Sequence, residues 1–104
     1  MRRGEVWWAD LPRPTGKRPV LLLSRDKAIQ VRELITVAQV TTVVRHLPTE
    51  VSLGKEEGMP RVCVVNCDVL NTIPKMFLVE KICVLSDEKM NVIGQAIKFA
   101  IGLE

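Results

Sequence analysis

The chain has 104 residues, of which 47% are hydrophobic, and its mean hydropathy is +0.15. These values predict a single domain with its own hydrophobic core and exclude a disordered chain. No apolar run approaches the ~18 residues of a membrane-spanning helix, and the chain opens on Met1-Arg2-Arg3 instead of an apolar signal segment. We therefore expect a soluble, cytoplasmic protein that is not exported and does not enter a membrane.

The formal net charge of +3 is unevenly distributed along the chain. Residues 1–46 carry nine Lys/Arg against four Asp/Glu, whereas residues 47–104 carry six against eight. Seven of the nine basic residues in the first part are arginines, and the planar guanidinium of arginine binds phosphate through paired hydrogen bonds. The asymmetry fits a polyanionic partner, and it fits equally well charges that only keep a small surface soluble.

Three cysteines, Cys63, Cys67 and Cys83, lie in apolar runs, and His46 is the one histidine of the chain. Three thiols cannot all pair with one another, so buried reduced thiols of a cytosolic protein are the simplest interpretation. A single histidine and the lack of any C-x-x-C motif leave little from which a zinc site could be built. We expect no metal and no other cofactor.

The first half of the chain reads as three strands joined by loops. Residues 4–10 form the first predicted strand, in which Val6 and Trp8 share one face, and the Pro- and Gly-containing residues 11–16 form a loop. Residues 18–24 are almost continuously apolar and predict a buried strand. Residues 26–34 are charged with only a weak helical pattern, which indicates a mobile connection, and the β-branched residues 35–44 predict a third strand.

The second half predicts three further strands and one helix. The strands are residues 49–53, which precede a turn through 54–58, then the buried run 62–67, and part of 76–85 after a turn at Pro74. Ser86 is a suitable N-cap for a helix with acidic residues in its first turn. The apolar stripe of that helix consists of Met90, Ile93, Ile97, Ala100 and Ile101. We expect a mainly β (α+β) fold, namely a small, strongly curved antiparallel barrel with a C-terminal α-helix.

The chain has none of the common hydrolase motifs, such as a G-x-S-x-G elbow, a phosphate-binding glycine loop or an H-E-x-x-H pair. An enzyme built from it would depend on arginines, hydroxyls and carboxylates. These groups suit phosphoryl transfer, in which stabilising charge on the phosphate oxygens is most of the catalysis. RNA would also supply its own nucleophile, the 2′-OH.

Four segments resemble the MazF/PemK toxin family, and they occur in the family's order. They are R-G-E-V-W-W-A-D-L at 3–11, G-K-R-P-V-L-L-L at 16–23, I-T-V-A-Q-V-T-T at 35–42, and the helix opening L-S-D-E-K-M at 85–90, which continues to Ile97. The resemblance implies a metal-independent, sequence-specific endoribonuclease toxin with a small SH3-like β-barrel that works as a homodimer. It further implies single-stranded RNA as substrate, a cognate MazE-like antitoxin that blocks the RNA groove, and operator DNA as a ligand of the toxin–antitoxin complex.

The same resemblance assigns two catalytic residues. Arg18 falls on the family's catalytic arginine and would clamp the scissile phosphate, and Thr41 falls on its catalytic threonine and would hydrogen-bond that phosphate or orient the 2′-OH. Attack by the 2′-OH would leave a 2′,3′-cyclic phosphate and a 5′-OH end. The predicted RNA-binding residues are Arg13, Lys17, Arg25, Gln39, Thr42, Arg45, His46 and Asp68.

The chain also departs from the family pattern. The loop before Arg18 is short and carries two prolines and no carboxylate, so the resemblance names no general base. In a later block Asp68 fits, but Val69 replaces the usual glutamine and Asn71 the usual basic residue. Two alternatives stay open at the level of sequence: a toxin on the same fold that binds a protein such as DNA gyrase and cleaves nothing, and a degenerate nuclease that only binds RNA.

Overall fold

The computed structural model describes residues 1–103, which form one curled, six-stranded antiparallel sheet with two helices. The strands are β1 Glu5–Asp10, β2 Lys17–Leu22, β3 Leu34–Thr41, β4 Glu50–Leu53, β5 Cys63–Pro74 and β6 Leu78–Val84, in the spatial order β4-β5-β3-β2-β1-β6. The helices are α1 Asp26–Val31 and α2 Asp87–Ile101, and short 3₁₀ helices cover Lys55–Glu57 and Lys75–Phe77. The expected mainly β fold, a strongly curved antiparallel sheet with a C-terminal helix, is confirmed, and the curled sheet forms a half-barrel.

Both faces of the curled sheet bury apolar side chains, which explains the continuous apolar run in β2. Leu21 belongs to one hydrophobic cluster, together with Ile93 of α2, and is fully buried. Val20 and Leu22 belong to a second cluster on the opposite face and are also fully buried. A strand buried on both faces needs apolar residues at every position and not only at alternate ones.

The C-terminal helix begins as predicted and packs through most of the predicted stripe. The Oγ of Ser86 accepts a hydrogen bond from the Lys89 N–H at 3.0 Å, which caps the first turn. Met90, Ile97 and Ala100 pack against the first hydrophobic cluster. The prediction for Ile101 is wrong, because its side chain lies outside the cluster and is 54% exposed.

Residues 26–31 are not a mobile connection, as the sequence suggested, but the helix α1. Its buried residues are Ala28 and Ile29, and Ile29 packs into the second hydrophobic cluster. Two adjacent apolar residues in a six-residue helix give almost no periodic signal. The helix therefore depends on packing more than on its own pattern.

Two strand ends differ from the sequence prediction by three residues or more. Strand β3 ends at Thr41 instead of Val44, and β5 continues to Pro74 instead of stopping at Cys67. The β5 register slips opposite β3, so that Ala38 faces Leu70 while Gln39 faces Asn66. Residues 67–69 form a bulge there. The bulge contains the exposed Asp68, and in the sequence this polar residue suggests that the strand ends at Cys67. Within residues 1–103 no helix is long and apolar enough to cross a membrane.

Candidate functional site

The register of β2 and β3 brings Arg18 and Thr41 to neighbouring positions. The outermost pair of the two strands is Val20 with Gln39. Arg18 lies two residues before Val20 on β2, and Thr41 lies two residues after Gln39 on β3. The two side chains are therefore on the same face of the sheet. The ladder stops before Arg18 and Thr41, so the two strand ends are not joined by backbone hydrogen bonds and line an open cleft.

The cleft has a volume of about 570 Å³ and combines three cations with an apolar wall. Lys17 and Arg18 come from β2, and Arg61 comes from the segment that precedes β5. No aspartate, glutamate or histidine lines the cleft among the residues that the structure describes. The other lining residues are Trp8, Pro19, Val40, Thr41, Thr42, Val43, Met59, Pro60 and Cys63.

The cationic side chains of the cleft have no anionic partner within residues 1–103. Arg18 and Arg61 are exposed and make no salt bridge or side-chain hydrogen bond with any described residue. The Lys17 ammonium lies 5.4 Å from the centre of the Trp8 ring, a cation–π contact that leaves the charge open to a ligand. Uncompensated positive charge around a concave surface attracts phosphate groups.

Thr41 presents its hydroxyl group in an orientation fixed by the backbone. Its Oγ1 accepts a hydrogen bond from the Val43 N–H at 3.1 Å. Strand β3 ends at Thr41, and local side-chain-to-backbone bonds of this kind compete with strand pairing. Because the oxygen already acts as acceptor, the hydroxyl hydrogen remains available to donate to a phosphate oxygen in the cleft.

Of the predicted RNA-binding residues, only Lys17 and Thr42 line this cleft together with the predicted catalytic pair. Arg13 is exposed on the loop between β1 and β2. Arg25 precedes α1 and lines a separate cavity with Arg32 and Thr36. Arg45 and His46 are exposed on the segment between β3 and β4, where His46 adopts a positive φ of 57°.

The remaining two predicted RNA-binding residues lie along the sheet, and both are hydrogen-bonded. Gln39 donates from Nε2 to Asn71 Oδ1 at 2.9 Å. Asp68 lies in the β5 bulge and accepts a hydrogen bond from the Thr49 hydroxyl at 2.5 Å. Neither Gln39 nor Asn71 lines the cleft, and Asp68 holds the start of β4 against β5.

Sequence reasoning missed Arg61. Its residue type offered a weak signal, since it follows a proline in a turn next to a buried strand. Only the tertiary structure brings the β4–β5 connection to the same cleft as the start of β2. Contacts between segments so far apart in the chain leave no periodic trace in the sequence.

The cysteine in the cleft wall is not suited to act as a nucleophile. Cys63 is 3% exposed, and burial, followed by the proximity of Cys83 and Glu57, raises the pKa of its thiol. A protonated thiol is a poor nucleophile and a poor metal ligand. Within residues 1–103, no three His, Cys, Asp or Glu side chains converge in a way that could hold a metal ion.

Residues 2–101 match the family model of the PemK-like, MazF-like toxins of type II toxin–antitoxin systems. The chain belongs to this family. It is 38% identical over 100 residues to the probable endoribonuclease MazF5 of Mycobacterium tuberculosis, which covers 95% of this chain and 91% of the relative. It is also 32% identical over 111 residues to endoribonuclease EndoA of Bacillus subtilis, covering 99% of this chain and 96% of that protein.

Solved structures of this toxin family have the same fold. The Mycobacterium tuberculosis toxin MazF-mt6 superimposes with a TM-score of 0.88 at 34% identity, covering 96% of this chain and 98% of that one. A mycobacterial endoribonuclease in complex with its cognate antitoxin superimposes with a TM-score of 0.89 at 28% identity, covering 100% and 97%. The expected relationship to the MazF/PemK toxins is thus confirmed by sequence and by structure.

Proposed function

We propose that this chain is an endoribonuclease toxin that cuts single-stranded RNA in the cleft, with Arg18 and Thr41 as its catalytic residues and without a bound metal. The observation that carries the proposal is the position of an unpaired guanidinium and an available hydroxyl at the open end of β2 and β3. The relatives named as endoribonucleases support the reaction class.

The proposed reaction is an internal phosphoryl transfer. The 2′-OH attacks the adjacent phosphorus and loses its proton, the O2′–P bond forms, and the P–O5′ bond breaks as O5′ takes up a proton. The products are a 2′,3′-cyclic phosphate and a 5′-OH end. Arg18 would donate two hydrogen bonds to the phosphate oxygens on which negative charge accumulates, and Thr41 would donate a third.

The cleft favours electrostatic catalysis over acid–base catalysis by side chains. No carboxylate or imidazole lines it within the described residues, whereas three cations do. Stabilisation of charge by preorganised donors is commonly the largest single contribution to catalysis. In this proposal water accepts the proton of the 2′-OH and supplies the proton to O5′. Arg18 supplies most of the stabilisation of the transition state.

We propose a homodimer whose groove holds the RNA, and a MazE-like antitoxin that covers this groove in the cytoplasm. Among the described residues the cleft is lined by cations and by no anion, which suits an acidic antitoxin segment, because charges of opposite sign complement each other across an interface. Binding of operator DNA by the toxin–antitoxin complex is part of the same proposal. The alternative of a gyrase-binding toxin is not favoured, since the curated relatives are named endoribonucleases.

The test is incubation of the purified protein with a long single-stranded RNA in excess EDTA. The expected result is a set of fragments with cyclic-phosphate ends, and a fall of about 10²–10³-fold in cleavage rate for Arg18→Ala. Because Arg18 is exposed, its replacement should leave the fold intact, which circular dichroism checks. Lys98→Ala removes an exposed cation from the last turn of α2 and is the matched control.

Three results would contradict the proposal. Cleavage that stops in EDTA and returns with a divalent metal would refute the metal-free mechanism. Equal cleavage by the wild type and by Arg18→Ala would remove Arg18 from the active site. Tight RNA binding without any fragments would favour the non-cleaving RNA binder.

A further inference from the structure

Arg61 lies in the candidate active site but comes from a different element than Arg18. It belongs to residues 54–62, the connection between β4 and β5, which we call the β4–β5 segment. Arg61 and its neighbours Met59 and Pro60 line the cleft together with Lys17 and Arg18. The cations of the cleft are therefore carried by two independent parts of the chain.

The β4–β5 segment is held in place by its own hydrogen bonds. The Gly54 N–H donates to Glu57 Oε1 at 2.6 Å, and the Met59 N–H donates to the Gly54 carbonyl at 3.1 Å. Glu57 in turn forms an ion pair with Lys89 of α2 at 3.6 Å. These bonds tie the segment to the C-terminal helix and close its turn.

Packing fixes the same segment on its inner side. Met59 is 4% exposed and belongs to the first hydrophobic cluster, and its Sδ lies 3.6 Å from the Sγ of Cys83 on β6. Gly58 has a φ of +100°, and a Cβ at this position would lie only 2.9 Å from the Cβ of Cys83. The backbone therefore passes tightly against β6 in a conformation that favours glycine. This packing fixes the backbone from which the Arg61 side chain extends.

Nothing in the described chain neutralises Arg61. Its side chain is exposed, and within residues 1–103 it forms no salt bridge and no side-chain hydrogen bond. Of the two acidic residues of the segment, Glu57 binds the Gly54 N–H and the Lys89 ammonium, and Glu56 forms no ion pair with Arg61. When the free guanidinium binds an anion, the anchored backbone needs no further ordering, and only the side chain loses conformational freedom.

We propose that Arg61 is an RNA-binding residue that holds a backbone phosphate next to the scissile one. This inference rests on the proposed function of the cleft. Single-stranded RNA carries one negative charge per nucleotide, so a strand clamped at Arg18 brings further phosphates to the rest of the cleft. Arg61 contributes to binding of the substrate in the ground state, whereas Arg18 contributes to the transition state.

The experiment measures how binding depends on salt. The probe is a short fluorescent single-stranded oligodeoxynucleotide, which lacks the 2′-OH and so is not cut, titrated at several NaCl concentrations. Loss of one phosphate contact reduces the slope of log K against log [salt] by about 0.7 for single strands. We expect this reduction, with weaker binding, for Arg61→Ala, and recovery of the slope for Arg61→Lys.

The control is Lys55→Ala, which removes an exposed cation of the same segment that does not line the cleft. We expect Arg61→Ala to raise the KM for RNA cleavage while kcat stays within about threefold, the signature of lost uniform binding. A wild type that cleaves RNA, with an unchanged salt slope in Arg61→Ala, would overturn this inference and leave the proposed function standing. A wild type that neither binds nor cleaves RNA would overturn both.

Discussion

The two ends of the β1–β2 hairpin differ in whether their charged side chains have partners within the protein. At one end Glu5 is only 7% exposed and accepts hydrogen bonds from the Trp7 indole at 2.8 Å and from the Arg2 N–H at 3.1 Å. The N-terminal ammonium and Lys81 add ion pairs at 4.0 and 3.7 Å. At the other end Arg18 lies opposite Ala9 and has no anionic partner in the described chain.

The difference separates a structural charge from a functional one. A carboxylate removed from water must be compensated by its neighbours, and Glu5 is compensated by four of them. An exposed arginine needs no such compensation, and one without an internal partner keeps its hydrogen bonds for a ligand. Substitutions at the two ends should therefore affect different observables: stability at Glu5 and RNA cleavage at the cleft.

After Arg18→Ala, the largest effect on cleavage is expected for Thr41→Val. This change keeps the shape of the side chain but removes the hydroxyl that we place on the scissile phosphate. We expect kcat to fall by about 10²-fold, the usual loss for one donor to a developing oxyanion. Single-turnover cleavage measures this effect, and Thr41→Ser, which retains the hydroxyl, should recover most of the rate. Similar rates for all three proteins would remove the hydroxyl from the mechanism.

A smaller effect, on stability alone, is expected for Glu5→Leu. It leaves the Trp7 and Arg2 donors without their acceptor, which should lower the free energy of unfolding by about 1–3 kcal/mol. Urea denaturation followed by circular dichroism measures the change. Glu80→Leu, at an exposed position of β6, is the control and should stay within about 0.5 kcal/mol of the wild type.

The contribution of Glu5 should also depend on pH. Burial acts to raise its pKa, but the hydrogen bonds from Trp7 and Arg2 and the nearby positive charges outweigh burial and hold the pKa below the ordinary 4.5. Stabilisation by the charged form is therefore complete above the ordinary pKa and is lost as the pH falls through the lower pKa of the folded state. The stability gap between wild type and Glu5→Gln should narrow in acid. A gap that widens there would contradict this account.

The smallest effect is expected for thiol reagents. Cys67 is fully buried, and burial, assisted by the nearby charge of Asp68, raises the pKa of its thiol to about 11. Iodoacetamide at neutral pH should therefore leave both Cys67 and RNA cleavage unchanged until the protein unfolds. Mass spectrometry after timed alkylation checks this result. Modification of Cys67 before that of the half-buried Cys83 would contradict it.

Much of the fold was predictable because its signals are local. The unbroken apolar run in β2, the N-cap at Ser86 and the stripe through Ile93 depend on neighbouring residues alone. Helix α1 and the second half of β5 were not predictable, because packing of Ile29 and a bulge at residues 67–69 decide them. A six-residue helix and a bulged strand contain too few periodic positions to stand out.

The candidate site divides in the same way. The sequence by itself determined Arg18 and Thr41 as candidates, because they belong to segments that resemble the family and flank recognisable strands. Only the tertiary structure decided that these two residues meet at an open strand end, that Arg61 joins them, and that Arg25 and Asp68 lie elsewhere. Residue type and local spacing are properties of the chain. Which distant segments share a cleft depends on the register and curvature of the sheet.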